Sequence, residues 1–311
     1  MRKRSTTQIN AKTEMARRVA EHYFGSSLRG LEYKPAGMTN FVFEAQTGAE
    51  HFIVRIGGGP EKLHDFLKEQ WVTQKVAEKG VPVPEVLEVG NRVIPFPYMV
   101  QRRVDGREAT DHPERLSILA RLGKYARLIH SIPTTGFGHE FDWSQNKLSR
   151  NQTWPAYLEE ELQATGRITF LQKNGLLPKG KVTHLRQLLE KIKKWKTPPA
   201  LNHSDLRLKN VLVNEAGEIR ALIDWDNCTS NIAPYWDLSI ALHDLSIDGK
   251  HRFLEGYGID FAGFNRHAYA LTVFNLLNYT PYLRSLVEGG HTRELEFYKL
   301  RLNGSLDLFS L

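Results

Sequence analysis

The sequence contains very little cysteine and no long apolar segment. Its 311 residues include a single cysteine, Cys228, which excludes an intrachain disulfide and any site built from several cysteines. No apolar run approaches the roughly 20 residues that a membrane-spanning helix needs. The basic residues 1–5 are not followed by the apolar segment of a signal peptide. These absences predict a cytoplasmic protein that does not act at a membrane.

Several common binding signatures are also missing. The 12 histidines do not fall into H-E-x-x-H or another metal-binding spacing. Glycines 57–59 follow a predicted strand, but no Gly-Lys-[Ser/Thr] comes after them, so they do not form a P-loop. The net charge of +7 would suit a nucleic-acid partner, but the densest basic run, 191–196, ends a predicted helix, where the helix dipole favours lysine. Because no nucleic-acid-binding fingerprint is present, we expect no such partner.

The polar groups that can carry chemistry are concentrated in residues 201–236. His203, Asp205 and Asn210 form the pattern H-x-D-x-x-x-x-N on a predicted loop. Two short apolar runs separated by a Gly-containing turn follow, and the second run leads to Asp224. This pattern predicts a hairpin that brings Asp224 close to the loop.

These residue types suit phosphoryl transfer. Magnesium prefers carboxylates and other hard oxygen ligands, so we predict that Asn210 and Asp224 bind Mg²⁺. Asp205 is predicted to orient the acceptor hydroxyl group and to receive its proton, and Arg207 to steady the transferred phosphoryl group.

The motifs together resemble the aminoglycoside phosphotransferase family, a branch of the protein-kinase-like fold whose relatives include the choline kinases. H-x-D-x-x-x-x-N is followed by I-D-W-D at 223–226 and by P-x-x-D-L at 234–238, as in that family. The resemblance implies an α+β, two-lobe protein-kinase-like fold, with a β-rich N-lobe (1–103) and a larger helical C-lobe (104–311). It also implies ATP or GTP as co-substrate and a small hydroxylated molecule as acceptor.

The resemblance places the nucleotide in the first lobe. Arg55 stands on the third predicted strand, where the family carries a cation for the phosphates, and Glu69 on the next helix would pair with it. Backbone groups near 101–103 would bind the adenine edge. The implied nucleotide-binding residues are Thr39, Asn40, Arg55, Glu69, Gln101 and Arg103.

Hydrophobic periodicity gives a strand-rich first third and a helical remainder, which agrees with a two-lobe α+β protein. Strands are predicted at 31–34, 41–45, 51–56, 86–89, from 93 onwards and at 97–104. Helices are predicted at 13–24, 61–79, 115–132, 154–162, 182–195, 237–245, 253–257 and 267–286.

The sequence leaves the reaction and its acceptor open. One alternative is a kinase that acts on a protein side chain, although the D-F-G motif is missing; another is a nucleotide-binding interaction module without activity, although Asp205, Asn210 and Asp224 are all present. We expect a monomer or weak dimer. The carboxylates that can contact an acceptor are Glu159, Glu160, Glu161, Asp237, Asp244 and Asp248. They are too few to ensure a polycationic acceptor, so we predict a hydroxylated acceptor with one or more amines.

Overall fold

A computed structural model of the chain describes residues 5–35, 40–141, 143 and 150–307. It divides into two compact units. The first consists of Met1–Glu108 and Val211–Asp226, and the second of Ala109–Asn210 and Asn227–Leu311. Within the described residues, no helix is both long enough and apolar enough to cross a membrane.

The strands of the described residues are, in chain order, β1 (Gly30–Lys34), β2 (Phe41–Thr47), β3 (Glu50–Ile56), β4 (Val86–Gly90), β5 (Tyr98–Arg102), β6 (Arg107–Glu108), β7 (Ala200–Asn202), β8 (Val211–Val213), β9 (Ile219–Leu222) and β10 (Thr229–Asn231). The helices are α1 (Thr6–Phe24), α2 (Lys62–Glu78), α3 (Arg115–Ile129), α4 (Trp154–Ala156), α5 (Ala164–Lys173), α6 (Lys179–Lys193), α7 (Tyr235–Ala241), α8 (Ile247–Tyr257), α9 (Phe261–Glu288) and α10 (Thr292–Asp307). A π-helical turn, Tyr157–Glu161, continues α4.

The first unit is built on an antiparallel five-stranded sheet with the order β1-β2-β3-β5-β4. β3 lies at its centre, because its alternating apolar residues, such as Phe52 and Val54, are buried. Helix α1 packs against this sheet. It begins earlier than the predicted residue 13, because Ser5 and Gln8 form a capping box that stabilises the first turn.

The predicted hairpin after the H-x-D loop is present as β8 and β9. β8 also pairs with β6, so that β6, β8 and β9 form a three-stranded sheet in the first unit. The sequence prediction placed this hairpin in a second lobe of residues 104–311. The structure groups it with the first unit, because hydrogen bonds between strands join segments that are about a hundred residues apart in the chain.

The second unit is helical, apart from the antiparallel pair β7 and β10. Its main core contains the aromatic residues Trp154, Tyr157, Trp236 and Phe274 together with many leucines. The periodicity missed helices α5 and α10 and both strands of the β7–β10 pair, and the segment from residue 93 is not a strand. Strand β7 leads directly into His203, so this short pair fixes where the H-x-D loop begins.

Candidate active site

In the first unit, Arg55 on β3 lies between two carboxylates. Its Nη1 donates to Oε1 of Glu69 on α2 at 2.6 Å, and its Nη2 donates to Asp226. Asn40 adds a hydrogen bond from Nδ2 to the other carboxylate oxygen of Asp226, at 3.1 Å. The side chains of Arg55, Glu69 and Asp226 are 11, 5 and 13% exposed, so these charges interact with little screening by water.

One guanidinium group cannot fully balance two buried carboxylates. Burial raises the pKa of Glu69 to about 7, and Asp226 adds to this while Arg55 opposes it. Burial also acts to raise the pKa of Asp226, but the charge of Arg55 and the hydrogen bonds to it lower that pKa below its usual value. Burial acts to lower the pKa of Arg55, but the two carboxylates raise it, so Arg55 keeps its charge. Asp226 therefore carries the negative charge and Glu69 is the group that titrates near neutral pH.

A small cavity of about 30 Å³ brings four of the predicted residues together, namely Arg55, Glu69, Gln101 and Asp224. Asp224 is exposed and has a φ of 67°, which is unusual for a residue with a side chain. Strained backbone of this kind is common at functional sites.

The remaining nucleotide-binding predictions have different outcomes. Asn40 is buried and contacts Asp226, whereas Thr39 lies outside the described residues. The backbone N–H of Arg103 donates to the carbonyl of His51 at 3.0 Å. A contact between Arg103 and a nucleotide must therefore use its carbonyl or its side chain, which pairs with Asp105.

In the second unit, both oxygens of the Asp205 carboxylate are bound by residues of its own loop. Oδ1 accepts from Nε of Arg207 and lies 2.5 Å from Nη2 of the same residue. Oδ2 lies 2.9 Å from Nζ of Lys209 and accepts from Nδ2 of Asn210 at 3.0 Å. The amide nitrogen of Asn210 also donates to the carbonyl of Asp205 at 2.8 Å. This leaves Oδ1 as the atom of Asn210 that can bind a metal ion.

Asp237 on α7 holds the beginning of this loop, at His203 and Ser204. This buried carboxylate accepts the backbone N–H groups of His203 at 2.8 Å and Ser204 at 2.6 Å. It also contacts Nε2 of His130 at 3.0 Å, and Nδ1 of His130 contacts the hydroxyl group of Tyr257. Burial opposes ionisation of Asp237, but the hydrogen bond and charge of His130 and the contacts with His203 lower its pKa. Asp237 therefore stays charged and fixes the position of the loop.

Asp205 borders a cleft of about 560 Å³ within the second unit. This volume is typical of a small-molecule site. The other residues that line it are mainly tyrosines and asparagines, with one further carboxylate, one histidine and one arginine: Ser204, Arg207, Asn227, Ile240, His243, Asp244, Asn275, Asn278, Tyr279, Tyr282 and Tyr298. Aromatic rings can pack on the apolar face of a ring-shaped ligand, and amides can bind its polar groups.

Four of these residues, Asn275, Asn278, Tyr279 and Tyr282, come from one face of α9, and sequence analysis did not single them out. Their spacing of i, i+3, i+4 and i+7 places them on one side of a helix, and this stripe in an otherwise apolar segment was the available signal. Asn275 is buried and donates its Nδ2 to the carbonyl of Ser239 at 2.8 Å. Burial raises the pKa of Tyr279 to about 12, so its hydroxyl group stays protonated.

Three of the six predicted acceptor carboxylates are used in other contacts. Glu159 pairs with Lys193 at 2.7 Å, Glu161 accepts from Asn151 at 2.6 Å, and Asp237 holds the loop. Among the predicted set, Asp244 lines the cleft that contains Asp205, so this cleft has two carboxylates.

The predicted proximity of Asp224 to the loop stays a prediction, because Asp224 belongs to the first unit and Asp205 and Asn210 to the second. The described residues contain no group of three or more His, Cys, Asp or Glu side chains that could hold a metal ion. The structure gives two further carboxylates a role, each within its own unit: Asp226 pairs with Arg55, and Asp237 holds the H-x-D loop. Both were within motifs quoted from the sequence, but their contacts depend on residues far away in the chain.

The chain is similar to several known proteins. The model of the phosphotransferase enzyme family matches residues 33–271. Hygromycin-B 4-O-kinase of Escherichia coli is 23% identical over 219 residues, which cover 67% of this chain and 61% of that protein. The chain thus matches 61% of the length of this curated relative.

Solved structures share the fold. A thermostable mutant of aminoglycoside phosphotransferase APH(4)-Ia, in a ternary complex with ADP and hygromycin B, gives a TM-score of 0.64 at 19% identity and covers 93% of this chain and 96% of its own. The GDP and kanamycin complex of APH(2")-IIIa gives a TM-score of 0.63 at 14% identity, with coverage of 96 and 97%. The predicted α+β, protein-kinase-like fold is therefore confirmed.

Proposed function

The chain belongs to the phosphotransferase enzyme family, and we propose that it transfers the γ-phosphoryl group of ATP or GTP to a hydroxyl group of a small molecule. The observation that carries the proposal is the position of Asp205. Its carboxylate lines a cleft of about 560 Å³ and stands on a loop that Asp237 fixes through two backbone hydrogen bonds. A general base must be held in place beside the hydroxyl group that it deprotonates.

In the proposed reaction, the acceptor oxygen forms a bond to the γ-phosphorus while the bond from that phosphorus to the β–γ bridging oxygen breaks. Asp205 orients the acceptor hydroxyl group and receives its proton. Arg207, which contacts Asp205 in this structure, can turn to the negative charge of the phosphoryl group, because its guanidinium group has several donors. The nucleotide is bound by residues of the first unit, with Arg55 as the cation for its phosphates.

Magnesium suits the donor groups that are present. Asp224 offers an exposed carboxylate, and the hydrogen bonds made by Nδ2 of Asn210 leave its amide oxygen for a metal ion. A magnesium ion held by these residues would supply positive charge to offset that of the phosphates. We propose both residues as magnesium ligands on these grounds.

The cleft favours an acceptor that combines hydroxyl groups, a ring and one or a few amines. Asp244 can attract a cation, and Asp205 can do so once Arg207, which also lines the cleft, turns to the phosphoryl group. Three tyrosines and three asparagines supply neutral contacts. Structural neighbours bind molecules of this kind, namely hygromycin B in the APH(4)-Ia complex and kanamycin in the APH(2")-IIIa complex. We also propose a cytoplasmic protein, with which the single cysteine agrees. We propose that it is a monomer or weak dimer and that it has no nucleic-acid partner.

The test is a phosphotransfer assay with labelled ATP and GTP, magnesium, and a panel of hydroxylated acceptors. The panel contains hygromycin B, kanamycin, choline and neutral sugar alcohols, and Asp205→Asn serves as the control for enzyme-dependent transfer. We expect an amine-bearing acceptor to be used best, with a KM that rises with salt because screening weakens its attraction to the cleft. If the best acceptor is neutral or anionic, the amine proposal is wrong. If no acceptor is phosphorylated, the proposed phosphotransferase activity is wrong.

A further inference from the structure

A second cavity of the second unit borders the same loop and has no role in the proposed reaction. Its volume is about 430 Å³, which is enough for a small organic molecule. The loop contributes Leu206, Arg207, Leu208 and Lys209 to its wall. The rest of the wall comes from Thr110, from α3, from Ala241 at the end of α7, and from the segment that joins α7 to α8 and continues into α8.

The lining of this cavity is largely apolar. Leu119, Leu122 and Phe253 are buried beneath it, at 3, 1 and 1% exposure, whereas Leu116 is 38% exposed. Leu245 adds a further apolar side chain. An apolar ligand that covers Leu116 and fills this space would gain from the removal of apolar surface from water.

The charged residues of the cavity are mainly cations. Arg115, Arg207 and Lys209 line it, against the single carboxylate of Asp244. Arg207 and Lys209 are 40 and 44% exposed. Arg115 is exposed and forms no ion pair with any residue in the described part of the chain. Apolar walls with an excess of positive charge are complementary to a molecule that has an apolar body and one negative charge.

We propose that this cavity binds an amphipathic anion, consisting of an apolar chain or ring of about eight carbons that ends in a carboxylate. The apolar body packs on Leu116, Leu119 and Phe253, and the carboxylate pairs with Arg115 and with the cations of the loop. Charge complementarity excludes the corresponding cation as the natural ligand.

The ligand and Asp205 share two cations. Arg207 holds one oxygen of the Asp205 carboxylate and Lys209 the other, and both cations also line the cavity. An anion in the cavity therefore competes with Asp205 for Arg207 and Lys209. Because coupling between two sites is reciprocal, removal of the charge at Asp205 must strengthen anion binding. A bound anion would thus change the ion pairs of Asp205, the residue to which the proposed function gives the role of base. That consequence alone rests on the proposed function.

The experiment is isothermal titration of the full chain with octanoate, without nucleotide or acceptor. Arg115→Glu reverses the charge at the cavity, and an acidic residue in the first turn of a helix is compatible with the helix dipole. Lys124→Glu is the matched control, since Lys124 makes the same charge change at an exposed site of the same helix and does not line the cavity. We expect saturable octanoate binding that is roughly tenfold weaker in Arg115→Glu and unchanged in Lys124→Glu.

Two further titrations complete the test. Octyltrimethylammonium and acetate, which lack the negative charge and the apolar chain respectively, should bind much more weakly than octanoate. Asp205→Asn should bind octanoate about two- to fivefold more tightly, in line with the strength of exposed ion pairs. Absence of saturable octanoate binding, equal affinities in the two α3 variants, or equal binding of the cation would overturn the site. Unchanged affinity in Asp205→Asn would overturn the competition for the loop cations. None of these binding measurements depends on phosphotransfer. The phosphotransfer assay therefore tests the proposed function independently of this site.

Discussion

Asp237 accepts a hydrogen bond from the backbone N–H of Ser204 at 2.6 Å, although the two residues are 33 positions apart in the chain. Ser204 has a φ of 64°, a conformation that a residue with a side chain adopts only when its surroundings hold it there. Asp237 supplies that restraint, since the same carboxylate also accepts the N–H of His203. The position of Asp205, the next residue of the loop, depends on it.

Replacement of Asp237 by Asn should therefore destabilise the protein and reduce activity together. One oxygen that accepts a backbone hydrogen bond becomes a donor, and a buried charge is lost, which together cost about 3 kcal/mol. Urea unfolding measures the loss. Asp111→Asn is the control, because Asp111 is exposed in a turn and its replacement should change stability by no more than about 0.5 kcal/mol. Equal stability of the two variants would show that Asp237 does not anchor the loop.

Asp205→Asn should lower kcat by several orders of magnitude and leave nucleotide affinity within a few-fold. The reason is that Asn keeps the size of the side chain but cannot accept the proton of the acceptor hydroxyl. One side-chain oxygen becomes an amide nitrogen, which no longer accepts a hydrogen bond from the loop. Steady-state kinetics with the best acceptor and a fluorescent nucleotide analogue for affinity check both parts. Turnover near that of the wild type would exclude Asp205 as the base.

Asp224→Ala should abolish magnesium-dependent nucleotide binding, whereas Asn210→Ala should weaken it less. A carboxylate contributes more to binding a divalent cation than a neutral amide oxygen does. Magnesium titrations at fixed nucleotide concentration give the midpoints. An unchanged midpoint in Asp224→Ala would contradict its role as a ligand.

Arg55 and Glu69 should be coupled in nucleotide affinity. Arg55→Met leaves Glu69 and Asp226 buried without their cation, whereas Glu69→Gln removes one of the two carboxylates that pair with Arg55. Arg55→Met with Glu69→Gln should therefore be less harmful than the sum of the two single effects. The double-mutant cycle is measured as nucleotide Kd. Asp226→Asn is informative as a third variant, because Asp226 holds the other side of the guanidinium group. Strict additivity between Arg55 and Glu69 would show that their ion pair plays no part in nucleotide binding.

Titration of Glu69 should lower the free energy of unfolding as the pH rises towards about 7. Its pKa is raised from 4.5 to about 7 in the folded state, so the folded state binds more protons than the unfolded state between these values. The stabilisation is complete below the unfolded pKa and is lost as the pH rises through the folded pKa. Glu69→Gln removes this titration. Urea unfolding at pH 5 and pH 8 should show the wild type losing stability relative to the variant; parallel profiles would contradict the raised pKa.

The sequence by itself determined the features that depend on local pattern. Alternating apolar residues predicted β2 and β3 to within two residues at each end, because the sheet buries one face of each strand. The turn chemistry at 214–217 predicted the hairpin β8–β9. The motifs at 203–210, 223–226 and 234–238 were sufficient to predict the family, because each is defined by residue types at fixed spacing within a short stretch of the chain.

Only the tertiary structure decided which distant residues meet. Asp226 was part of a quoted motif, but its contact with Arg55 comes from strand pairing and the packing of the first unit. Asp237 contacts the loop because α7 packs beside it, and the stripe on α9 lines a cleft because the apolar sides of that helix are buried. Such contacts follow from the burial of apolar surface throughout a unit, and no short stretch of sequence specifies them.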